Sequence, residues 1–103
     1  MGTYLLAYKG GIPASEAERA ASMAAWGAFV GGFGAAAVDA GNPFGEARTV
    51  DASRAVRDGA TSGVNGYSII TAADLAAAAE VAKGCPALDH GGSVEVHEIF
   101  QVM

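Results

Sequence analysis

The sequence has few of the residues that build a covalent or metal-bound framework. It contains one cysteine, Cys85, and two histidines, His90 and His97. A lone cysteine forms no disulfide within the chain, and neither zinc-finger spacing nor a C-x-x-C redox pair is present. We therefore expect an apolar core to hold the fold, a reducing cytoplasm as its location, and neither a metal site nor a bound cofactor.

Positive charge is scarce as well. Six Lys and Arg residues stand against eleven Asp and Glu residues, which gives a net charge of -5. A surface of this sign repels a phosphate backbone instead of attracting it. The composition thus excludes nucleic acid as an expected partner.

One long stretch, residues 20–38, lacks charge altogether and reads AASMAAWGAFVGGFGAAAV. Most of it is Ala and Gly, which gain little in lipid. Its bulky residues Met23, Trp26, Val30 and Phe33 fall on one side of a helix, whereas a membrane-spanning helix is bulky all round. We predict a packed amphipathic helix and no membrane partner. The N-terminal run YLLAY is too short for a signal peptide.

The chain of 103 residues has the size of a single domain, spanning 1–103. Two capping motifs mark helix starts, namely Ser15 with Glu18 and Thr71 with Asp74. Turn residues separate the other elements. We predict, in chain order, strand 4–9, a helix from 15 to about 33, strand 36–40, a variable insertion at about 44–64 that could form a hairpin, a strand around YSII, a helix to 83 and a last strand in GGSVEVHEIF.

This order of elements, βαββαβ with an inserted hairpin, predicts an α+β ferredoxin-like sandwich with both helices on one face of the sheet. The other face would then be bare. Yet the strands YLLAY and YSII are apolar on both faces, as expected only where both are covered. A second copy of the chain is the simplest cover, so we expect a homodimer.

Several motifs carry a family resemblance. The run NGYSIITAADLAAAAEVAKGCPALDHGGSVEVHEI, the Asp58-Gly59 turn and the initial YLLAY resemble the YCII-related proteins, in particular their DGPF branch. The resemblance covers most of the chain. It implies a dimeric α+β barrel in which the inner faces of two sheets line a shared cavity. Some members look like small enzymes, and others accompany transcription regulators.

The sequence departs from this family at two places. Ala60 and Thr61 follow Asp58 and Gly59 where the DGPF tetrapeptide has Pro and Phe. Trp26 stands where YCII proteins carry a His on the first helix. The family's His–Asp dyad is therefore not expected here.

A different set of ionisable residues is predicted to line the dimer cavity. Because strand side chains alternate, Val94 and Val96 would face the helices, and Glu95 and His97 would face the barrel interior. The same alternation directs Asp39 away from the core face. His97 is predicted to be catalytic, as a general base. A carboxylate, from Asp39 or Glu95, would orient His97 and stabilise its cation.

Tyr8 and Asn42 are predicted to add hydrogen bonds to a ligand, together with Glu95. Two functions remain open at this point. The protein could bind a small molecule with acid–base chemistry in the cavity, or it could be a non-catalytic dimeric module that regulates a partner. In the second case His97 and Glu95 would be solvated or would form an interface ion pair.

Overall fold

Two helices and two antiparallel sheets make up the fold. The computed structural model describes residues 1–102. In chain order the elements are β1 (Gly2–Lys9), α1 (Glu16–Gly31), β2 (Ala37–Asp39), β3 (Arg48–Val50), β4 (Val56–Asp58), β5 (Val64–Ala72), α2 (Leu75–Ala82) and β6 (Ser93–Glu98). Short 3-10 turns at Gly34–Ala36 and Pro86–His90 connect them.

The main sheet has four strands in the order β2-β5-β1-β6, all antiparallel to their neighbours. Strands β3 and β4 form a separate two-stranded sheet. An antiparallel four-stranded sheet with two helices is compatible with the predicted ferredoxin-like α+β fold.

One face of the main sheet carries the core. Tyr4, Leu6 and Tyr8 of β1 alternate onto this face, and all are buried. Ile70 of β5 lies opposite Tyr4, and Ala78 of α2 joins the same cluster. Side chains of α1 pack against this cluster too, so both helices cover the same face of the sheet.

The start of α1 follows the predicted capping motif. Ser15 is the N-cap residue, and its Oγ accepts a hydrogen bond of 3.1 Å from the Glu18 amide. The Glu18 carboxylate accepts a bond of 3.0 Å from the Ala14 amide, one residue before the cap. These bonds satisfy two backbone donors and define where the helix begins.

The second capping prediction was wrong in one of its two residues. Asp74 caps α2 alone, since its carboxylate accepts a 2.8 Å hydrogen bond from the Ala77 amide. Thr71 still belongs to strand β5, and its hydroxyl donates instead to the Ala36 carbonyl oxygen at 3.4 Å. Strand pairing extends β5 further than its apolar stretch alone indicated.

The uncharged stretch of the sequence forms most of α1 and the turn after it. Trp26, Val30 and Phe33 contact the core as the helical spacing predicts. Met23 does not, because its side chain is 76% exposed. Within residues 1–102, no helix is long and apolar enough to cross a membrane.

The polar segment between β2 and β5 contains the predicted hairpin. Arg48 pairs with Asp58 and Val50 with Val56 across β3 and β4. The Arg48 guanidinium also forms an ion pair with the Asp58 carboxylate. Both valines are more than half exposed, so this hairpin adds nothing to the core.

On the sheet face away from the helices, the ring of Phe44 stacks on Tyr67, with the ring centroids 5.7 Å apart. The centre of this face is apolar, with the partly exposed Leu5, Tyr67 and Ile69 around the buried Ala7. We call this surface the open face. The accessible surface of the protein is 6802 Å², whereas a compact monomer of this mass exposes about 5,300 Å². The open face and the projecting hairpin contribute to this excess.

Candidate functional site

A cavity of about 640 Å³ lies between α1 and the core face of the sheet. Its volume falls in the range of sites for small organic molecules. Four segments of the chain surround it, namely the turn after β1, the middle of α1, the loop after β2 and the start of β5. The residues that line it are Tyr8, Gly10–Pro13, Met23, Trp26, Gly27, Val30, Ala40–Phe44 and Asn65–Ser68.

Aromatic rings form the inner wall of this cavity. The Tyr8 and Trp26 rings meet edge to face, with their centroids 4.7 Å apart. Phe29 packs against both, at 6.4 Å from Tyr8 and 5.9 Å from Trp26. Such contacts add about 0.5–1.5 kcal/mol each beyond simple burial. They hold Trp26 in one position at the wall although its side chain is only partly buried.

A chain of hydrogen bonds anchors Tyr8 to the sheet. The Tyr8 hydroxyl lies 2.7 Å from Ser68 Oγ, which lies 2.7 Å from the Ala40 carbonyl oxygen. A carbonyl only accepts, so the single Ser68 proton goes to Ala40, and Tyr8 must donate to Ser68. Burial raises the pKa of Tyr8 to about 12, although the Ser68 hydrogen bond opposes the rise. Tyr8 is therefore a neutral anchor in this cavity at neutral pH.

The loop after β2 forms the side of the cavity opposite α1. Gly41 adopts φ +84°, and a Cβ there would lie 1.6 Å from the Tyr67 carbonyl oxygen. Only glycine allows this approach. The next residue, Asn42, bonds β5 through its carbonyl oxygen, which accepts from the Tyr67 amide at 3.4 Å.

Two asparagine side chains supply polar groups at this cavity. Asn65 Nδ2 donates to the Gly10 carbonyl oxygen at 3.0 Å, which leaves its amide oxygen open. The Asn42 side-chain amide makes no hydrogen bond to the part of the chain that the structure describes. Both amides can therefore bond a ligand.

Comparison with known proteins assigns neither a family nor a function to this chain. The chain matches no family model and no curated protein. The resemblance to the YCII-related proteins therefore rests on its motifs alone.

The open face carries a second group of polar side chains, at its β6 edge. His97 Nε2 lies 3.1 Å from Glu95 Oε1, and Lys9 Nζ lies 3.1 Å from Glu95 Oε2. Two hydrogen bonds lower the pKa of the Glu95 carboxyl, and the one from His97 has a larger effect than the one from Lys9. Glu95 therefore stays ionised beside His97. All three side chains remain open to solvent in one copy of the chain.

Asp39 lies at the opposite edge of the open face, on β2. Its Oδ2 accepts a 2.7 Å hydrogen bond from the Tyr67 hydroxyl, and its Oδ1 accepts one of 2.9 Å from the Gly41 amide. The Tyr67 bond, then the Gly41 bond, lowers the pKa of the Asp39 carboxyl. Among residues 1–102, no three His, Cys, Asp or Glu side chains are grouped to hold a metal ion.

The predicted site residues thus lie in two separate places. Tyr8 and Asn42 line the cavity under α1, whereas Asp39, Glu95 and His97 lie on the other face of the sheet. Within one chain, the structure brings His97 next to Glu95 but not next to Asp39.

Two residues contribute to the cavity in ways that the sequence did not predict. Ser68 is fully buried within YSII, where a polar residue among apolar ones signalled a bonded hydroxyl. The helical spacing of Trp26 predicts a core position, yet its ring also lines the cavity. The sequence signal for this second role was a large aromatic ring within a run of Ala and Gly residues.

Proposed function

We propose that the protein binds a small organic molecule in the cavity between α1 and the sheet. The observation that carries this proposal is the cavity itself, about 640 Å³ in volume and walled by apolar and aromatic side chains with a few amides. Apolar walls with a few polar groups are typical of ligand sites. The edge-to-face contact between Tyr8 and Trp26 shapes the inner wall of this site.

The chain has a single tryptophan, Trp26, so one indole signal reports on the cavity. We expect ligands from a fragment collection to shift the indole cross-peak in a proton–nitrogen correlation spectrum. A matched pair of variants identifies the binding site. Gly27 and Gly31 both lie on α1, and a Cβ at either position would have no neighbouring atom within 4 Å, but only Gly27 lines the cavity.

Gly27→Leu should therefore block binding, while Gly31→Leu should leave it intact. Both changes remove a helix glycine, so neither is expected to lower the stability of α1. Ligands that bind Gly27→Leu as well as the parent protein would contradict the proposal, and so would a collection without any fragment that moves the indole signal.

A second proposal concerns the open face, which we infer to be the interface of a homodimer. Its apolar centre, with the partly exposed Leu5 and Ile69 beside the buried Ala7, is what supports this proposal. The accessible surface exceeds that of a compact monomer by about 1,500 Å², and one side of a standard interface buries about 800 Å². The open face shares this excess with the projecting hairpin, so the excess allows a dimer but does not locate its interface.

Charge favours one arrangement of such a dimer. A two-fold axis parallel to the strands would place the β6 edge of one copy opposite the β2 edge of the other. His97 would then face Asp39 of the second copy, in the same row of the sheet. A two-fold axis perpendicular to the strands would instead place the β6 edges of the two copies opposite each other. The two Glu95 carboxylates would then lie at the same edge of the dimer. The first arrangement adds a second carboxylate, Asp39 of the other copy, to the pair of His97 and Glu95 that one chain already contains.

Ile69→Arg should convert this dimer to a monomer, because it places a charge in the apolar centre of the open face. Val81→Arg on the exposed side of α2 is the matched control. Sedimentation at micromolar concentration measures both. A parent protein that sediments as a monomer would overturn the dimer and with it the pairing of His97 with Asp39 in a shared cavity.

The non-catalytic module remains the alternative to acid–base chemistry. It has the same open face, with the ion pairs of Lys9, Glu95 and His97 serving only to orient the second copy. A thermal-shift screen separates the two, since a ligand that binds the native state must raise its stability. Stabilisation of the parent protein but not of Ile69→Arg would favour a site made by the dimer.

A further inference from the structure

We infer that the ligand of the cavity under α1 is a neutral molecule with a flat ring and a hydroxyl, carbonyl or amide group. The inference rests on the proposed ligand binding and adds the chemical class. The described lining of this cavity lacks charged residues, which the composition of a chain with net charge -5 does not predict. Among the residues of 1–102 that line this cavity there is no Asp, Glu, Lys, Arg or His.

Two charged residues adjoin the lining in sequence, and strand alternation turns both away. Lys9 follows Tyr8 on β1 and reaches Glu95 on the open face, where its ammonium lies 3.1 Å from the carboxylate. Asp39 precedes Ala40 and bonds the Tyr67 hydroxyl, also on the open face. Each charge already has its partner there, so neither can neutralise a ligand on the other side of the sheet.

The Tyr8 hydroxyl does not take the place of these two charged groups as a partner for an ionic ligand. Tyr8 donates its proton to Ser68, and Ser68 donates to Ala40. This direction follows from the carbonyl at its end, so Tyr8 has no proton left for an anionic ligand. A charged group that enters such a wall loses water and gains no opposite charge. The cavity therefore offers no opposite charge to an anion or a cation, and a cation gains only the weaker attraction of an aromatic face.

The walls also define the shape of the ligand. Trp26 is held edge to face against Tyr8, and this leaves the remaining surface of the indole for the cavity. Rings prefer to pack on rings in this way. The free amide of Asn42 offers both a donor and an acceptor, and Asn65 offers its amide oxygen. A single hydroxyl, carbonyl or amide on the ring satisfies these groups.

Three probes with the same ring test this inference, namely 2-naphthol, 2-naphthoate and 2-naphthylmethylammonium. At neutral pH they are neutral, anionic and cationic. We expect the neutral probe to bind at least about tenfold more tightly than either ion, measured from the Trp26 indole cross-peak. All binding should disappear in Gly27→Leu and persist in Gly31→Leu.

A change of one wall residue should alter this preference. Asn42→Asp keeps the size of the side chain but places a carboxylate at the cavity. We expect the cation to gain about tenfold or more in affinity, and the neutral probe to change by only a few-fold. Thr61→Asp changes the net charge equally at a residue outside the lining and should change none of the three affinities.

The outcomes separate this inference from the proposal on which it rests. If an ion binds the parent as tightly as the neutral probe does, and Gly27→Leu abolishes that binding, the neutral class is wrong and the site is right. If Gly27→Leu leaves binding of the probes unchanged, or no probe moves the indole signal at about 1 mM, the site and the ligand class are both wrong.

Discussion

Asp39 and His97 lie in the same row of the main sheet, at its two opposite edges. Ile69 and Leu5 occupy the row between them. Three strand spacings separate the two residues, or about 14 Å. They cannot touch within one chain, but in the proposed dimer with its two-fold axis parallel to the strands the acid of one copy would face the base of the other. Acid–base chemistry by this pair therefore depends on the proposed dimer.

A charge exchange tests this pairing across the dimer. Asp39→Lys and His97→Glu should each weaken the dimer by about three- to tenfold, because exposed ion pairs contribute up to about 1 kcal/mol. The double variant restores an opposite-charge pair and should recover most of the loss. Dissociation constants from sedimentation give the coupling. Losses that simply add would show that the two side chains do not face each other.

Trp26→Ala should lower the free energy of unfolding by about 2–3 kcal/mol, less than the 3–5 kcal/mol typical of a fully buried ring. The ring is only partly buried, but it packs on Tyr8 and Phe29. Urea unfolding measures the change. Met23→Ala, at an exposed position one turn earlier, is the control and should cost about 0.5 kcal/mol or less. A Trp26→Ala protein as stable as its parent would remove Trp26 from the core.

Ser68→Ala should be more damaging than its size implies. It leaves the buried Tyr8 hydroxyl without an acceptor and the Ala40 carbonyl without a donor. We expect a loss of about 1–3 kcal/mol in the free energy of unfolding. Tyr8→Phe should cost less, because Ser68 then still donates to Ala40. If the two variants rank in the opposite order in urea unfolding, the chain of bonds does not run from Tyr8 to Ala40.

High pH should destabilise the protein through Tyr8. Its folded-state pKa of about 12 lies above the ordinary 10.0. The folded protein thus keeps a proton that the unfolded chain releases. This contribution to stability is complete below pH 10 and is lost as the pH rises to about 12. Melting temperatures should fall less steeply over this range in Tyr8→Phe. Tyr4 and Tyr67, whose pKa values are also raised, are present in both proteins.

Local patterns in the sequence predicted most of the secondary structure. The alternation in GGSVEVHEIF placed Glu95 and His97 on the face away from the helices, as the pairing of β6 with β1 shows. The capping motif at Ser15 marked the start of α1. These features depend on neighbours a few residues apart, so they can be read from the chain. The end of β5 could not, since its last residues pair with β1.

The candidate site was less predictable, because it depends on contacts between distant segments. The sequence predicts Tyr8 and Asn42 in the same cavity as His97, yet the pleat of β1 turns Tyr8 toward α1. Nothing in the local sequence shows that α1 stands far enough from the sheet to leave a cavity. That spacing comes from how Trp26 and Phe29 pack against Tyr8.

The sequence by itself determined most of the strands and helices and which residues share a strand face, because the periods of two and 3.6 are properties of the backbone. Only the tertiary structure decided which of these faces meet. It placed a cavity under α1, and none of the described residues that line this cavity is charged. It also separated Asp39 from His97 by the width of the sheet. The order of strands sets that separation, and the order depends on pairings of β1 with β5 and β6, which lie far from it in the chain.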